Sequence, residues 1–466
     1  MNETFAFLKK AQLRSEIRAC LALALPLAAA QLAQQATSFV DTVMMGLLGS
    51  EAIAAGGLGG ISFGTLLLVC SGSLSATSPL VSEAYGRGDR RRIEQVAQQG
   101  FWLALLIALP ATLLLWNAGA ILTHLGQQES TIALVVNYLR AIAPGLFPAL
   151  AFAVMRNVVS ALSRPRPVMV ITLCGLVFNV VANYSLMFGK IRLGAISLPP
   201  LGLTGIGLAS TMSFWGVLIA LLIYIRLQSD LRQHRIFPPR PKFDRQILKE
   251  LLQIGIPIGV LYGVETGLFT ITAFLMGFLG TVPLAAHQIA LQTAAITFMV
   301  PAGISYATTV RVGQLLGQEN LPQARLAAFI NLAIGATFMA IMGIAFLVFP
   351  RSIVALYLDV NNLANAAVVA MAIDLLRVAA MFQLVDGIQV IAAGALRGLQ
   401  DTRTPMLIGL FAYWGIGLSC GYTLGLRSGW GGVGLWIGLA IGLAVASIIF
   451  TWRFTRLINA RIRLSA

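Results

Sequence analysis

Twelve apolar stretches, each long enough to cross a lipid bilayer as a helix, divide the chain between residues 19 and 453. A transmembrane helix needs about 20 mostly apolar residues, and only helices or closed barrels satisfy every backbone hydrogen bond inside a bilayer. Charged residues make up 11% of the chain, whereas a soluble domain carries about 25%. We therefore predict an all-α polytopic membrane protein with twelve transmembrane helices. Their expected ranges are 19–46, 52–79, 96–122, 131–154, 167–189, 203–226, 247–275, 283–308, 324–349, 363–395, 405–425 and 431–453.

Lysine and arginine indicate the orientation of these spans. If the N-terminus lies inside, 26 of the 32 basic residues fall in inside segments and four in outside loops. Short cytoplasmic loops are enriched in Lys and Arg, so we predict that both termini face the cytoplasm. The formal net charge of +15 follows from the same bias, and we expect the lipid bilayer rather than nucleic acid as the partner of this charge.

The second half of the chain repeats motifs of the first at a constant offset. Leu25-Pro26-Leu27 corresponds to Ile256-Pro257-Ile258, and Met45-Gly46 corresponds to Met276-Gly277. Each half holds six spans, so both halves enter the membrane in the same direction. We predict two six-helix lobes, residues 1–235 and 236–466, related by a pseudo-two-fold axis along the membrane normal, with a site at their interface. The predicted boundary lies in the basic, proline-containing loop at 228–245.

Three carboxylates, Asp41, Glu265 and Asp386, lie deep inside predicted spans. Each costs about 2.5–3.5 kcal/mol at the bilayer centre, and an inert helix offers nothing to offset that cost. A purely structural, hydrogen-bonded carboxylate is the alternative, but we expect no basic residue at the same depth, because Arg140 and Arg377 lie near the outer ends of their spans. We therefore interpret the three as functional, and Asp374 with Arg377 as a surface ion pair.

Each of these carboxylates shares a helical stripe with other polar or aromatic residues. The stripe residues are Gln31, Gln34, Gln35, Ser38 and Thr42 with Asp41; Tyr262, Thr266 and Phe269 with Glu265; and Gln383, Phe382 and Gln389 with Asp386. A large lipophilic cation needs apolar walls and a negative charge, and aromatic faces add cation–π attraction. We therefore expect Gln34, Tyr262, Phe269, Gln288 and Phe382 to line a substrate cavity.

Other polar residues inside spans have simpler interpretations. Asn179 and Asn183 stand one turn apart on span five, and residue type alone favours helix–helix packing for such a pair. His287, beside Gln288, is interpreted as a satisfied polar residue. The sequence contains no G-x-x-x-x-G-K-[ST] motif, so we expect no ATP site. No Ser/His/Asp or Cys/His set can be assembled, and we predict that the protein is not an enzyme and needs no cofactor.

Six segments carry a resemblance to the multidrug and toxic compound extrusion (MATE) family, in its NorM-type bacterial branch. They are FVDTVMMG (39–46), QGFWLALLIALP (99–110), FNVVANYSLMFGK (178–190), GIPIGVLYGVETGLF (255–269), LAAHQIALQ (284–292) and QLVDGIQVIAAGALRGLQDTRTP (383–405). Their order is also that of the family, and the resemblance covers essentially the whole chain.

The resemblance implies a two-lobed, V-shaped exporter of the bacterial inner membrane, which expels organic cations in exchange for inward H+ or Na+. It implies a cation or proton site in the N-lobe at Asp41, with Asn179, Asn183 and Thr204, and another in the C-lobe at Glu265 and Asp386. Na+ is thus expected at one of these carboxylates if Na+ is the coupling ion. We expect a monomer.

One position departs from the family pattern. Where related proteins often have a tyrosine one turn before the span-ten aspartate, this chain has Phe382. The missing hydroxyl removes a ligand for Na+ but does not hinder protonation, which shifts the expectation slightly towards H+.

Three other functions compete with drug export. A flippase for lipid-linked precursors belongs to the same wider superfamily, but it is expected to have about fourteen spans and a cavity lined with Arg and Lys. An exporter of a dedicated endogenous metabolite would use the same machinery. A channel is disfavoured, because a duplicated core with isolated carboxylates suits alternating access.

Overall fold

The computed structural model describes residues 2–124, 129–189, 192–193, 196–197, 199–233, 236 and 243–465. Twelve helical segments in this part of the chain are long and apolar enough to cross a membrane, which confirms the predicted number. They are Leu13–Leu47, Glu51–Arg87, Arg90–Trp116, Thr131–Ala161, Pro165–Met187, Gly202–Leu227, Arg245–Leu279, Thr281–Gly317, Leu321–Val348, Leu363–Gly398, Arg403–Arg427 and Gly431–Ser465.

The secondary structure of the described residues is almost entirely helical. In chain order the α-helices are α1 (Asn2–Leu47), α2 (Ser50–Leu74), α3 (Thr77–Arg87), α4 (Arg90–Trp116), α5 (Ala118–His124), α6 (Glu129–Ile142), α7 (Leu146–Ala161), α8 (Pro165–Met187), α9 (Gly202–Leu227), α10 (Ser229–Arg232), α11 (Arg245–Leu279), α12 (Thr281–Gly317), α13 (Leu321–Val348), α14 (Pro350–Val354), α15 (Ala366–Gly398), α16 (Arg403–Leu410), α17 (Ser419–Tyr422) and α18 (Gly431–Ser465).

Several of the described segments depart from regular α-helix. Ala143–Gly145 and Leu363–Asn365 form short 3-10 helices. Span eleven contains two π-helical segments, Phe411–Leu418 and Thr423–Arg427, on either side of α17. A short antiparallel hairpin, β1 (Arg192–Leu193) and β2 (Ile196–Ser197), precedes α9. The hairpin is a small addition to the predicted all-α class.

The chain forms two compact units. Unit 1 comprises Met1–Ala28 and Val260–Ala466, and unit 2 comprises Ala29–Gly259. These bounds differ from the predicted lobes, 1–235 and 236–466, because the first parts of α1 and α11 each pack within the unit formed mainly by the other half of the sequence. The division into lobes 1–235 and 236–466 follows the sequence repeat and stays a prediction. Most of the loop predicted to join the two lobes lies outside the described residues.

In unit 1, the beginning of α1 is attached by a buried ion pair. Glu16 is 1% exposed and accepts two hydrogen bonds from Arg311, from Nε at 2.6 Å and from Nη2 at 2.8 Å. Gln323 Nε2 donates a third, at 2.8 Å. Further along, Gly303 lies against the backbone of Ala28, where a Cβ would clash. These contacts fix the depth of α1 in unit 1.

Unit 2 holds the beginning of α11 in a comparable way. Arg92 Nη2 donates a hydrogen bond to Glu250 Oε2. Gly255 packs against the backbone of Ser73, again at a position where a Cβ would clash. The residues that follow on α11 cross into unit 1, and they include Glu265.

The repeat found in the sequence is visible in the local conformation. Gly49 and Gly280 occupy equivalent positions of the repeat, and both precede a helix with positive φ, 108° and 123°, a conformation that favours glycine. Asp89 and Asn320 are equivalent in the same way, and each caps a helix by accepting from the backbone N–H three residues on. Corresponding spans in the two halves therefore begin with the same kind of glycine turn or helix N-cap.

Candidate functional sites in the two units

In unit 2, Asp41 on α1 forms one hydrogen-bonded cluster with three polar side chains from α8 and α9. Asn183 Nδ2 donates to Asp41 Oδ1 at 2.6 Å and to Asn179 Oδ1 at 3.0 Å. Ser210 Oγ donates to Asp41 Oδ2 at 3.2 Å, and Asn179 Nδ2 donates to Ser210 Oγ at 3.4 Å. Asn179 and Asn183 are fully buried. Asn183 therefore contacts the carboxylate of α1 directly, and Asn179 supports it through Asn183 and Ser210, so the pair does more than pack between helices.

Ser210 was missed by the sequence reasoning, which named Thr204 instead. Both residues lie on α9, but the hydrogen bonds that the described residues make to Asp41 come from Asn183 and Ser210. The signal available in the sequence was the polar run Ser210-Thr211 within an apolar span. Thr204 is half-buried and takes no part in this cluster.

Substituting Ser210 gives a first prediction. A hydrogen bond to a charged group contributes about 1.5–3 kcal/mol, so Ser210→Ala should lower efflux by about tenfold or more. The matched control is Ser213→Ala, on the same helix, whose hydroxyl donates to the backbone oxygen of Gly175 at 3.1 Å and not to Asp41. Efflux of ethidium from cells with matched protein levels measures both variants. Equal losses in the two variants would show that Ser210 acts through packing alone.

In unit 1, Asp386 lies on α15 in a cluster that contains unsatisfied oxygens. Asp386 is 4% exposed. Among the described residues, Asp386 Oδ1, Gln383 Oε1 and Gln389 Oε1 are buried without a hydrogen-bond partner. The amide nitrogens are occupied, since Gln383 donates to Thr297 Oγ1 and Gln389 donates to Tyr413 Oη. Buried acceptors without donors are rare and need an explanation.

Glu265 approaches this cluster from α11. It is half-buried, and its carboxylate is close enough to that of Asp386 for the two charges to interact. Two carboxylates in one site repel each other when both are ionised. The site is therefore most stable when it holds a proton or another cation.

The oxygen atoms of both clusters fit a cation, but to different degrees. The carboxylate of Asp41 already accepts two hydrogen bonds, while Asn183 Oδ1 has no partner among the described residues. Around Asp386 three acceptors lack donors. Carboxylate and amide oxygens suit hard cations, and a proton on Asp386 would supply a donor. The described residues contain no group of three or more His, Cys, Asp or Glu that could hold a transition metal.

Of the residues predicted to line a substrate cavity, Phe382 lies in the core rather than at an accessible surface. Phe382 is 2% exposed, with its ring 5.7 Å from that of Trp436 and 6.2 Å from that of Phe269. It packs into the core of unit 1, since its position on the helix points it at Trp436, and it offers almost no surface to a ligand in this conformation. Phe269 is half-buried and Gln34 and Tyr262 are partly accessible, whereas Gln288 is exposed.

His287 is buried beside the same tryptophan. Trp436 Nε1 donates to His287 Nδ1 at 3.1 Å, while His287 Nε2 has no partner within the described part of the chain. The interpretation as a satisfied polar residue therefore holds for one ring nitrogen and not for the other.

The expectation that no basic residue lies near the membrane carboxylates was wrong for Glu265. Helix α15 continues to Gly398, and Arg397 in its last turn is 7% exposed. Arg397 Nη1 donates to Tyr262 Oη at 2.5 Å, and its charge interacts with that of Glu265. By contrast, the surface ion pair of Asp374 with Arg377 is confirmed, at 2.9 Å between exposed side chains.

Comparison with known proteins identifies the family. The MatE family model matches residues 26–185 and 257–423. The "Probable multidrug resistance protein NorM" of Synechocystis is 45% identical over 446 residues, covering 96% of both chains. The protein of the same name from Pseudomonas aeruginosa is 41% identical, covering 95% of this chain and 91% of that protein.

Solved structures agree on the fold. "Outward-facing conformation of a multidrug resistance MATE family transporter of the MOP superfamily" aligns with a TM-score of 0.85 at 19% identity, over 97% of this chain and 98% of that one. The eukaryotic MATE transporter AtDTX14 aligns with a TM-score of 0.83 at 20% identity, over 97% and 99%. With the twelve spans and the family match over most of its length, the chain belongs to the MATE family of membrane transporters and is not an enzyme.

Proposed function

We propose that this protein exports lipophilic organic cations and other amphipathic drugs from a bacterial cell, in exchange for inward H+ or Na+, by alternating access. The observation that carries the proposal is a carboxylate cluster inside each compact unit, Asp41 with Asn179, Asn183 and Ser210, and Glu265 with Asp386. Relatives named as multidrug resistance proteins, 41–45% identical over nearly the whole chain, support the drug substrates.

The electrostatics of these clusters favour exchange over simple release. A carboxylate in a low-dielectric site is stable when neutralised or paired, so loss of one cation favours uptake of another. A coupling ion and a cationic drug that compete for the same charge would exclude each other. Binding of the ion on one side of the membrane would then release the drug there, without a separate gate.

The proposal also concerns the identity of the coupling ion, H+ or Na+. Protonation of Asp386 would add a donor to a cluster whose buried oxygens lack donors, and Phe382 contributes no hydroxyl to a Na+ shell. These features favour H+, whereas the three unpaired oxygens would also suit Na+. The experiment that separates them is transport by purified protein in proteoliposomes with separately imposed pH and Na+ gradients.

We expect ethidium to move against its gradient when a pH gradient alone is imposed. Transport driven by the Na+ gradient alone would assign Na+ as the coupling ion. If neither gradient drives transport of ethidium or norfloxacin, the proposed antiport is wrong. Movement of a lipid-linked sugar under the same conditions would favour the flippase.

The orientation of the chain gives a second prediction, based on the 26 of 32 basic residues in predicted inside segments. A reporter fused after Arg92 should be cytoplasmic, and one fused after Asn361 should be periplasmic. Alkaline phosphatase and green fluorescent protein fusions at both sites measure this, since each is active on one side only. A periplasmic signal after Arg92 would overturn the orientation.

A further inference from the structure

Two arginines, one in each unit, contact equivalent positions of the sequence repeat. Aligning the two halves pairs Gln31 with Tyr262, and Gln34 with Glu265. In unit 2, Arg156 on α7 donates from Nη1 to Gln31 Oε1 at 3.2 Å and to Gln34 Oε1 at 3.4 Å. In unit 1, Arg397 reaches the Tyr262 position. An arginine therefore contacts the polar stripe of the first helix in both halves.

Arg397 is held firmly but without an ion pair. Its Nη2 donates to Ser305 Oγ at 2.7 Å, and its Nε donates to the backbone oxygen of Ala393 at 3.4 Å. The rings of Tyr262 and Tyr306 lie 5.8 and 5.9 Å from its Cζ atom. None of the ion pairs among the described residues includes Arg397. A guanidinium does not lose its proton in proteins, so this charge is permanent.

The arrangement brings that permanent charge close to Glu265. Tyr262 and Glu265 are three residues apart on α11, and side chains with this spacing are neighbours on a helix, with about 5–6 Å between their Cβ atoms. Because Arg397 donates to the hydroxyl of Tyr262, its guanidinium lies beside the same stripe. Two further titratable groups lie near Glu265, the carboxylate of Asp386 on α15 and the hydroxyl of Tyr413 in span eleven. The hydroxyl of Tyr306 lies beside that of Tyr262.

We propose that Arg397 is a positioning residue for the coupling step: a tethered cation that competes with the coupling ion for Glu265. This inference rests on the proposed function. When Glu265 is ionised, Arg397 stabilises its negative charge, and this attraction is lost when a proton or Na+ neutralises the carboxylate. The fixed charge therefore weakens ion binding and speeds ion release. Tyr262 sets the position of the guanidinium by accepting its hydrogen bond.

Neutralising Arg397 should strengthen the binding of the coupling ion. Two charges separated by several ångströms at an effective dielectric constant near 20 change a binding constant by on the order of tenfold. We expect Arg397→Gln to lower the half-saturating concentration of the coupling ion by about this factor, and to lower the maximal rate of efflux because release is slower. Ethidium efflux from proteoliposomes, titrated with pH and with Na+ separately, measures both quantities.

Matched variants separate this role from a structural one. Arg397→Lys keeps the charge and should retain an ion dependence close to that of the wild type. Tyr262→Phe removes the hydroxyl that accepts from Arg397, and should shift the ion dependence in the same direction as Arg397→Gln but less. Arg377→Gln, on the same helix but in an exposed ion pair with Asp374, should change nothing. If Arg397→Gln does not reach the membrane, Tyr262→Phe carries the test.

The outcomes also distinguish this inference from the proposed function. A wild type whose efflux ignores both ions contradicts the antiport itself. A wild type that depends on one ion, with Arg397→Gln or Tyr262→Phe reduced in maximal rate but unchanged in ion dependence, overturns the role of Arg397 while leaving antiport intact. Loss of function in Arg397→Lys equal to that in Arg397→Gln would likewise assign the residue to packing.

Discussion

Asp41→Asn is expected to reduce efflux to the level of vesicles without the protein, while the variant still accumulates in the membrane. Asp41 is the one carboxylate of its cluster, and asparagine can neither take up a proton nor pair with a cation. The substitution also removes a charge that costs about 2.5–3.5 kcal/mol near the bilayer centre. Loss of transport should therefore not reflect failure of insertion.

The structure explains why the fold should tolerate this change. Asp41 accepts from Asn183 and from Ser210. The oxygen of an introduced asparagine can keep the bond from Asn183, and the hydroxyl of Ser210 can rotate to accept from its amide nitrogen. One hydrogen bond changes direction and none needs to be lost.

The control for this prediction is Asp374→Asn. Asp374 is also on a spanning helix, but its side chain is 53% exposed and pairs with Arg377, a kind of contact that contributes about 0–1 kcal/mol. Efflux of ethidium and the amount of protein in membrane fractions should be normal for this variant. Export at the wild-type rate by Asp41→Asn would rule out a role for Asp41 in coupling.

The sequence predicted the number of spans correctly and singled out the carboxylates inside them, because both signals are local. A run of about 20 apolar residues can satisfy its backbone in lipid only as a helix, and an acidic residue inside such a run is conspicuous. The pairing of Asn179 with Asn183 follows from their spacing of four. The contact of this pair with Asp41, which is distant along the chain, came only from the family resemblance.

Contacts that depend on packing between helices could not be predicted. Thr204 and Ser210 both place a hydroxyl on span six, and only the packing of α1, α8 and α9 decides that Ser210 reaches Asp41. Arg397 was assigned to a cytoplasmic loop because span ten was expected to end at residue 395. The helix continues to Gly398, which carries the guanidinium into contact with Tyr262.

The two units differ in their chemistry even though the sequence repeats. The alignment of the two halves places Thr272 opposite Asp41, and Gln34 opposite Glu265. The carboxylates therefore lie at different positions along α1 and α11, which are the first helices of the two halves. In unit 2 the donors of Asn183 and Ser210 satisfy the carboxylate, whereas in unit 1 acceptors lack donors among the described residues. We therefore expect the unit 1 cluster to respond more strongly to the coupling ion.

Drug and coupling ion are expected to weaken each other's binding at Glu265 and Asp386 by the same factor. Reciprocity follows from thermodynamic linkage, and coupling between sites is typically about 5–150-fold. If the two cations share these carboxylates, raising the Na+ concentration or lowering the pH should weaken the binding of ethidium or norfloxacin. Phe269, half-buried and one turn from Glu265 on α11, offers an aromatic surface to the drug, whereas Phe382 packs against Trp436.

Asp386→Asn tests the shared site directly. The variant keeps the size of the side chain and brings an N–H donor to a cluster in which the amide oxygens of Gln383 and Gln389 lack one, so it should fold. It should lose most of the dependence of drug affinity on the coupling ion, because one of the two competing charges is gone. Asp401→Asn is the matched control, since Asp401 pairs with Arg453 at 2.7 Å away from this cluster. Drug affinity of purified protein is measured by fluorescence across pH and across Na+ concentration. A wild-type affinity that ignores both ions would show that drug and ion do not compete, and that coupling must then pass through a change in conformation rather than through a common charge.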